Sequence, residues 1–218
     1  VRKELDDRAP RVMAVVRPLK IVLTNYPEGQ TEMLTAANHP MQPNMGTREL
    51  VFERELYVER DDFMENPTRK FFRLRLGGEV RLRYAYIIKC EKIIKDTSGE
   101  IIELHCTYDP ETCSGSDKAK RKVKGTIHWV SCGHSAQAEI RLYDRLFTSA
   151  RPGSGDNQLD FAESLNPDSL IVVTDGRVEL GLTDLQRQVQ FERTGYFVAD
   201  EIDSQPGRPV FNQIVTLR

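Results

Sequence analysis

The sequence predicts an all-β protein built as a barrel or a sandwich. Three observations carry that prediction. Short segments rich in β-branched and aromatic residues recur along the 218 positions. Clusters of Gly, Pro, Asn and Asp separate them, and no strand–helix–strand alternation appears. The missing alternation also excludes a doubly wound nucleotide-binding domain within this sequence.

In chain order, residues 1–9 read as the end of a helix stopped by Pro10. Strand-like segments follow at 21–23, 56–58, 80–89, 100–107 and 123–130, then at 138–142, 170–173, 190–198 and 210–217. Turn signals lie between them at Pro27-Glu28-Gly29, Gly77-Gly78, Thr97-Ser98-Gly99, Asp175-Gly176 and Gln205-Pro206-Gly207. Two polar stretches, 110–120 and 148–157, read as long loops, and a short helix is expected over 159–164. Trp129 belongs in a core, and His39, in Asn38-His39-Pro40, in a turn.

Composition narrows the function. Lys and Arg number 31 against 33 Asp and Glu, a formal net charge of −2. A protein that coats nucleic acid with its whole surface is excluded, so any such contact must come from a patch. No apolar run approaches the ~20 residues that span a bilayer. The charged start VRKELDDRAPR is not a secretory leader. A cytoplasmic protein with no membrane partner is expected, and the start at Val1 points to a piece of a longer chain. The four cysteines form no CxxC pair and read as small residues in a reducing compartment. His105, Cys106, Cys113 and Cys132 match no standard zinc spacing, so no metal is expected. There is no GxxxxGK[ST] and no GxGxxG. Cys132, His134 and Asp144 carry no oxyanion-hole signal, so no catalytic residue is expected.

The basic residues are concentrated. In RKFFRLRLGGEVRLRYAY, Arg69, Lys70, Arg73, Arg75, Arg81 and Arg83 stand against the single acid Glu79, interleaved with Phe71, Phe72, Tyr84 and Tyr86. Such a segment on a near-neutral chain is the footprint of a nucleic-acid site. Read as one strand over 80–89, Arg81 and Arg83 share a face about 7 Å apart, opposite Tyr84 and Tyr86. That spacing is near the phosphate repeat of an extended single strand, and a guanidinium grips phosphates or base edges at two points. The same pattern also describes a solvated strand face with ion pairs to nearby glutamates. In Gln190-Phe191-Glu192-Arg193, Gln190 and Glu192 share a face and can offer donors and acceptors to a base edge. They can equally be exposed polar positions on an edge strand. Lys118, Lys120, Arg121, Lys122 and Lys124 form a second cluster, which can follow a phosphate backbone or protect a sheet edge.

Taken together, RAPRVMAV, NHPMQPNMG, RLRLGGEVRLRYAY, KVKGTIHWVS, EIRLYDRLF, LNPDSL, QFERTGYF and PVFNQIV resemble the C-terminal anticodon-binding region of bacterial glutaminyl-tRNA synthetases, the glutamine–tRNA ligases. KGTIHWVS and EIRLYDRLF are shared with the non-discriminating glutamyl enzymes, and QFER with the RLR pair favours the glutaminyl branch. The resemblance implies two six-stranded β-barrels of the ribosomal protein L25-like type, one inserted in the other. After the helical end at 1–9, a proximal barrel would hold 10–61 with 135–218, and a distal barrel 62–134.

It further implies a class I aminoacyl-tRNA synthetase as parent, using ATP and magnesium through HIGH and KMSKS motifs that are not in this sequence. The chain itself would be inactive alone and need no cofactor. Its partners would be the anticodon loop of glutamine tRNA and the catalytic domain of the same polypeptide, in a monomeric cytoplasmic protein. By the resemblance, Arg11, Gln190 and Glu192 recognise the middle uridine of the anticodon, and Arg73 the guanosine at its third position. Arg81 and Arg83 meet the first nucleotide and its backbone. Lys70, Tyr84, Arg193 and Lys122 complete the expected RNA-binding set. Phe72, Lys70, Met41 and Tyr84 depart from the family pattern, and Tyr84 can stack on the first base. An L25-like module for ribosomal RNA and a pure docking domain are the rival readings.

Overall fold

The computed structural model describes residues 1–150, 152, 162–182 and 188–217, with the side chains at 117 and 118 left aside. The expected helix at 159–164 and the loop at 148–157 fall largely outside these residues; the described part of the former, 162–164, is a turn.

Helix α1 (Arg2–Arg8) comes first and ends before Pro10, with the Ala9 amide donating to the Leu5 carbonyl at 2.8 Å. Then come β1 (Arg11–Val12), β2 (Ala14–Val15), β3 (Pro18–Leu23), β4 (Thr31–Ala37), β5 (Thr47–Glu53) and β6 (Glu55–Glu59). They are followed by β7 (Glu79–Leu82), β8 (Ile87–Lys95), β9 (Ile101–Asp109), β10 (Thr126–Ile127) and β11 (Trp129–Ser131). The last are β12 (Ser135–Tyr143), β13 (Leu170–Glu179), β14 (Gln188–Phe191), β15 (Gly195–Ala199) and β16 (Val210–Thr216).

Two seven-stranded sheets result, ordered β1-β14-β15-β16-β12-β13-β2 and β10-β7-β8-β9-β3-β6-β11. In each, the two edge strands are neighbours in the chain: one residue, Met13, separates β1 from β2, and one residue, His128, separates β10 from β11. A single passing segment therefore pairs with both edges of its sheet, and each sheet curls into a nearly closed barrel. Counting each interrupted strand once, both barrels have six strands. Closure removes the exposed edges that an open sheet would present. Among the described residues no helix is long and apolar enough to cross a membrane.

Alternation explains the cores. In β5, TRELVFE, Leu50 and Phe52 are buried while Glu49, Val51 and Glu53 point to the other, more open face. With Leu34 and Ala36 of β4 they cover the second barrel, whose interior holds Ile21, Leu56, Val80, Leu82, Ile88, Leu104 and Trp129. Tyr26, Phe52, Tyr86, Tyr108 and Trp129 meet ring to ring there, with Phe52 edge-on to Trp129 at 5.2 Å. The first barrel packs Val12, Ile140, Val178, Phe191, Phe197 and Phe211, and α1 lays Leu5 and Ala9 on Tyr196. The β4–β5 ribbon was not among the expected strands.

Three expectations need correction. The segment 80–89 is not one strand: β7 ends at Leu82, and Tyr84 turns the chain with φ 62° before β8 begins. The segment 190–198 is likewise a hairpin, turned at Arg193 with φ 66°. Asp175-Gly176 is no turn but lies inside β13 at a bulge, where a Cβ on Gly176 would come within 2.6 Å of Ile140. β3 pairs with β9 and β6, and β6 with β11, so β3 and β6 lie in the sheet that holds β7–β11, while β4 and β5 pair with each other as a separate two-stranded ribbon.

Candidate nucleic-acid interface

The strap between β6 and β7 carries the basic sequence. Leu74 anchors it by burial and by a hydrogen bond that its backbone N–H donates to the Asp62 carbonyl at 2.9 Å. Held there, the strap forms one wall of a groove of about 530 Å³ lined by Arg69, Phe71, Phe72, Arg73, Arg75, Lys122 and Lys124. Its one carboxylate, Glu79, is already paired with Arg121 at 2.8 Å. Phe72 is 51% exposed, and the Lys124 ammonium lies 5.3 Å from its ring. Cations around an open aromatic face are what a single-stranded nucleotide requires, with phosphates on the charges and a base on the ring.

The groove depends on a close approach. A Cβ on Gly125 would lie 2.1 Å from the Phe72 carbonyl oxygen. Gly125→Ala should therefore push the strap away and lower stability by about 1–3 kcal/mol, read as a lower thermal midpoint. An unchanged midpoint would mean that the strap is not clamped there.

Arg73 is the ridge between this groove and a second cavity, of about 370 Å³, at the seam of the two barrels. Its side chain is 46% exposed; Nε faces Asp62 Oδ1 at 3.3 Å and Nη1 donates to the Asp61 carbonyl at 3.0 Å. Arg193 reaches the same carboxylate from the first barrel with both terminal nitrogens, at 2.5 and 2.7 Å. His128 faces Arg193 at 3.1 Å, and Thr194 and Gln213 complete the rim.

Glu192, one residue before Arg193, makes the opposite connection. It is 2% exposed, accepts the Tyr84 hydroxyl at 2.9 Å, forms an ion pair with Arg83 Nε, and lies 3.7 Å from Arg48. Arg48 also pairs with the buried Glu179 at 2.6 Å, whose carboxyl is pushed up by burial against the pull of Arg48. The guanidinium groups of Arg83 and Arg48 lie 5.1 and 5.9 Å from the Tyr84 ring centre. Burial, then the Glu192 charge, pushes the Tyr84 phenol up, so it remains a donor at neutral pH.

Several expected contacts are therefore engaged within the protein. Arg81 and Arg83 do not share a strand face, because the chain turns after Leu82. The terminal nitrogens of Arg81 donate to the carbonyls of Ala85, Thr112, Ala119 and Arg121, pinning the 112–121 loop. The Glu192 carboxylate, expected at a base edge, is held by Arg83, Arg48 and the Tyr84 phenol. Arg11, 5% exposed, pairs with Asp6 at 2.6 Å and with two carbonyls at the end of α1. Gln190, beside Arg11 in register, donates to the Tyr196 hydroxyl at 2.8 Å, which in turn bonds Asp6. Arg73, Lys70 and Lys122 are exposed, though Lys70 does not line the groove. The side chain of Lys118 lies outside the described residues.

Asp62, Arg48, His128 and Glu179 escaped the sequence reading. An acid or a base in a polar stretch looks solvated until its partner is known. His39 is in the expected turn but buried, with Nε2 on the Asp6 carbonyl at 2.7 Å. Burial raises the Cys132 thiol to about 12, and His134 faces Glu53 at 3.1 Å.

A family model described as tRNA synthetases class I (E and Q), anti-codon binding domain, matches residues 9–109, and a second model so described matches 126–200. The chain is 53% identical to the glutamine–tRNA ligase of Bradyrhizobium diazoefficiens, 52% to that of Pseudomonas syringae and 54% to that of Nitrobacter hamburgensis. These alignments cover 100% of this chain but only 38% of each relative.

Proposed function

Because the chain belongs to the anticodon-binding family of the class I tRNA synthetases for glutamate and glutamine, we propose that it reads the anticodon loop of glutamine tRNA for a glutamine–tRNA ligase. The activity would then reside in a catalytic domain of the same polypeptide, using ATP and magnesium to join glutamine to its tRNA in a monomeric, cytoplasmic enzyme. The two units divide, in our reading, where the sheets divide: after β2 and before β12. The observation that carries the function is the position of Arg73, half-exposed between the basic, phenylalanine-lined groove and the seam cavity.

In this reading Arg73 faces the third anticodon base and Arg193 stands at the seam beside it. Lys122 and Lys70 meet the backbone, and Phe72 offers a stacking face. Arg11, Gln190, Glu192, Arg81, Arg83 and Tyr84 shape the surface from behind. An L25-like ribosomal module needs one barrel, whereas anticodon-binding models match parts of both. The glutamyl branch is disfavoured by identities above 50% to glutamine–tRNA ligases.

Arg73→Ala should weaken binding to tRNA with guanosine at the third anticodon position by about 1–3 kcal/mol, the scale of a two-point base contact. Affinity for a tRNA with another base there should change much less. Filter binding at fixed salt reads both. An equal loss for every tRNA would refute base reading by Arg73.

A further inference from the structure

The two arginines nearest the seam share one counter-ion. Asp62 is 2% exposed, and its carboxylate receives Arg193 as a two-toothed fork and Arg73 through Nε. Arg193 comes from the β14–β15 turn of the first barrel, and Arg73 from the strap of the second. The Asp62 carbonyl also accepts the Leu74 amide at 2.9 Å, which ties the residue bearing the carboxylate to the strap that carries Arg73. Arg193 sits in a left-handed conformation, φ 66°, that a non-glycine residue keeps only where its surroundings hold it. Among the described residues Tyr84 is the only other such case, and it is held by the neighbouring Glu192. Arg73 borders both cavities, and its contacts with Asp61 and Asp62 run through Nη1 and Nε.

We infer that Asp62 is a positioning residue that couples recognition of adjacent anticodon bases. In this inference Arg73 faces the third base and Arg193 the second; Asp62 aims both from one point, so that loosening either arginine misplaces the other. The inference rests on the anticodon-reading function proposed above. It differs from a structural role for Asp62 because it assigns a change in preference between bases, and not only a loss of stability or of total affinity. A buried carboxylate shared by two guanidinium groups is a network whose members act non-additively.

The test uses the full chain and three unmodified anticodon stem-loops. One carries uridine and guanosine at the second and third anticodon positions, and each of the others replaces one of these bases. Binding is read by fluorescence anisotropy. Asp62→Asn should lower the preference for the correct base at both positions, by about fivefold each. Arg193→Lys should lower the preference at the third position by a similar factor, although Arg73 is the group that faces it. If Asp62→Asn does not fold, Arg193→Lys carries the test alone. A wild-type chain that prefers neither base would overturn the proposed function and this inference with it. Wild-type preference that survives Asp62→Asn or Arg193→Lys, or an equal loss for all three stem-loops, would overturn the inference while leaving the function intact.

Discussion

Glu192→Ala is expected to lower folding stability by about 3–5 kcal/mol, the cost of removing one partner from a buried charge cluster. Glu192 is the acid that the Arg83 side chain contacts and lies within 3.7 Å of Arg48, while also accepting the Tyr84 hydroxyl at 2.9 Å. Without it, the guanidinium groups of Arg83 and Arg48 both remain near Tyr84, and Glu179 remains to balance only Arg48. Tyr84 also loses the bond that holds its left-handed backbone. The loss should appear as a shift in the urea midpoint with an unchanged slope. Glu192→Gln, which keeps the shape and an acceptor for Tyr84, should lose less. A shift below about 1 kcal/mol for the alanine variant, as at exposed pairs, would show that the cluster is solvated.

Trp129→Ala should cost about 3–5 kcal/mol, as large-to-small changes of buried aromatics do. The indole is fully buried, packs edge-on against Phe52 at 5.2 Å, and donates Nε1–H to the Arg83 carbonyl at 2.9 Å. It therefore supports the turn that presents Arg83 and Tyr84 to the seam. Trp129→Phe keeps most of the packing and removes the donor, at a cost of about 1–3 kcal/mol. The chain has one tryptophan, so circular dichroism and not tryptophan emission should follow unfolding. Equal losses for the two variants would mean that the hydrogen bond, and not the packing volume, dominates at this site.

Most strands were legible because their signals are local. Alternation in EIRLY and VFNQIV, glycines at turns, and Pro10 after the first helix need no distant partner to be read. The two failures over 80–89 and 190–198 have one cause. Tyr84 and Arg193 adopt φ values that their side chains do not favour, and no Gly or Asn announces the turn. The β4–β5 ribbon was missed although LVFE alternates.

Local composition and order settled that this is a β protein and that its cations gather on one strap among phenylalanines, and the resemblance of its segments pointed to the family that the comparisons show. The seam was decided by tertiary structure alone. Arg193 meets Asp62 across 131 positions and Glu192 meets Tyr84 across 108. An ion pair between remote residues leaves no periodicity in the chain. Whether an arginine faces solvent or a buried carboxylate is set by how the two barrels close and dock, through Met13 and His128 at the closures and the acids buried between them.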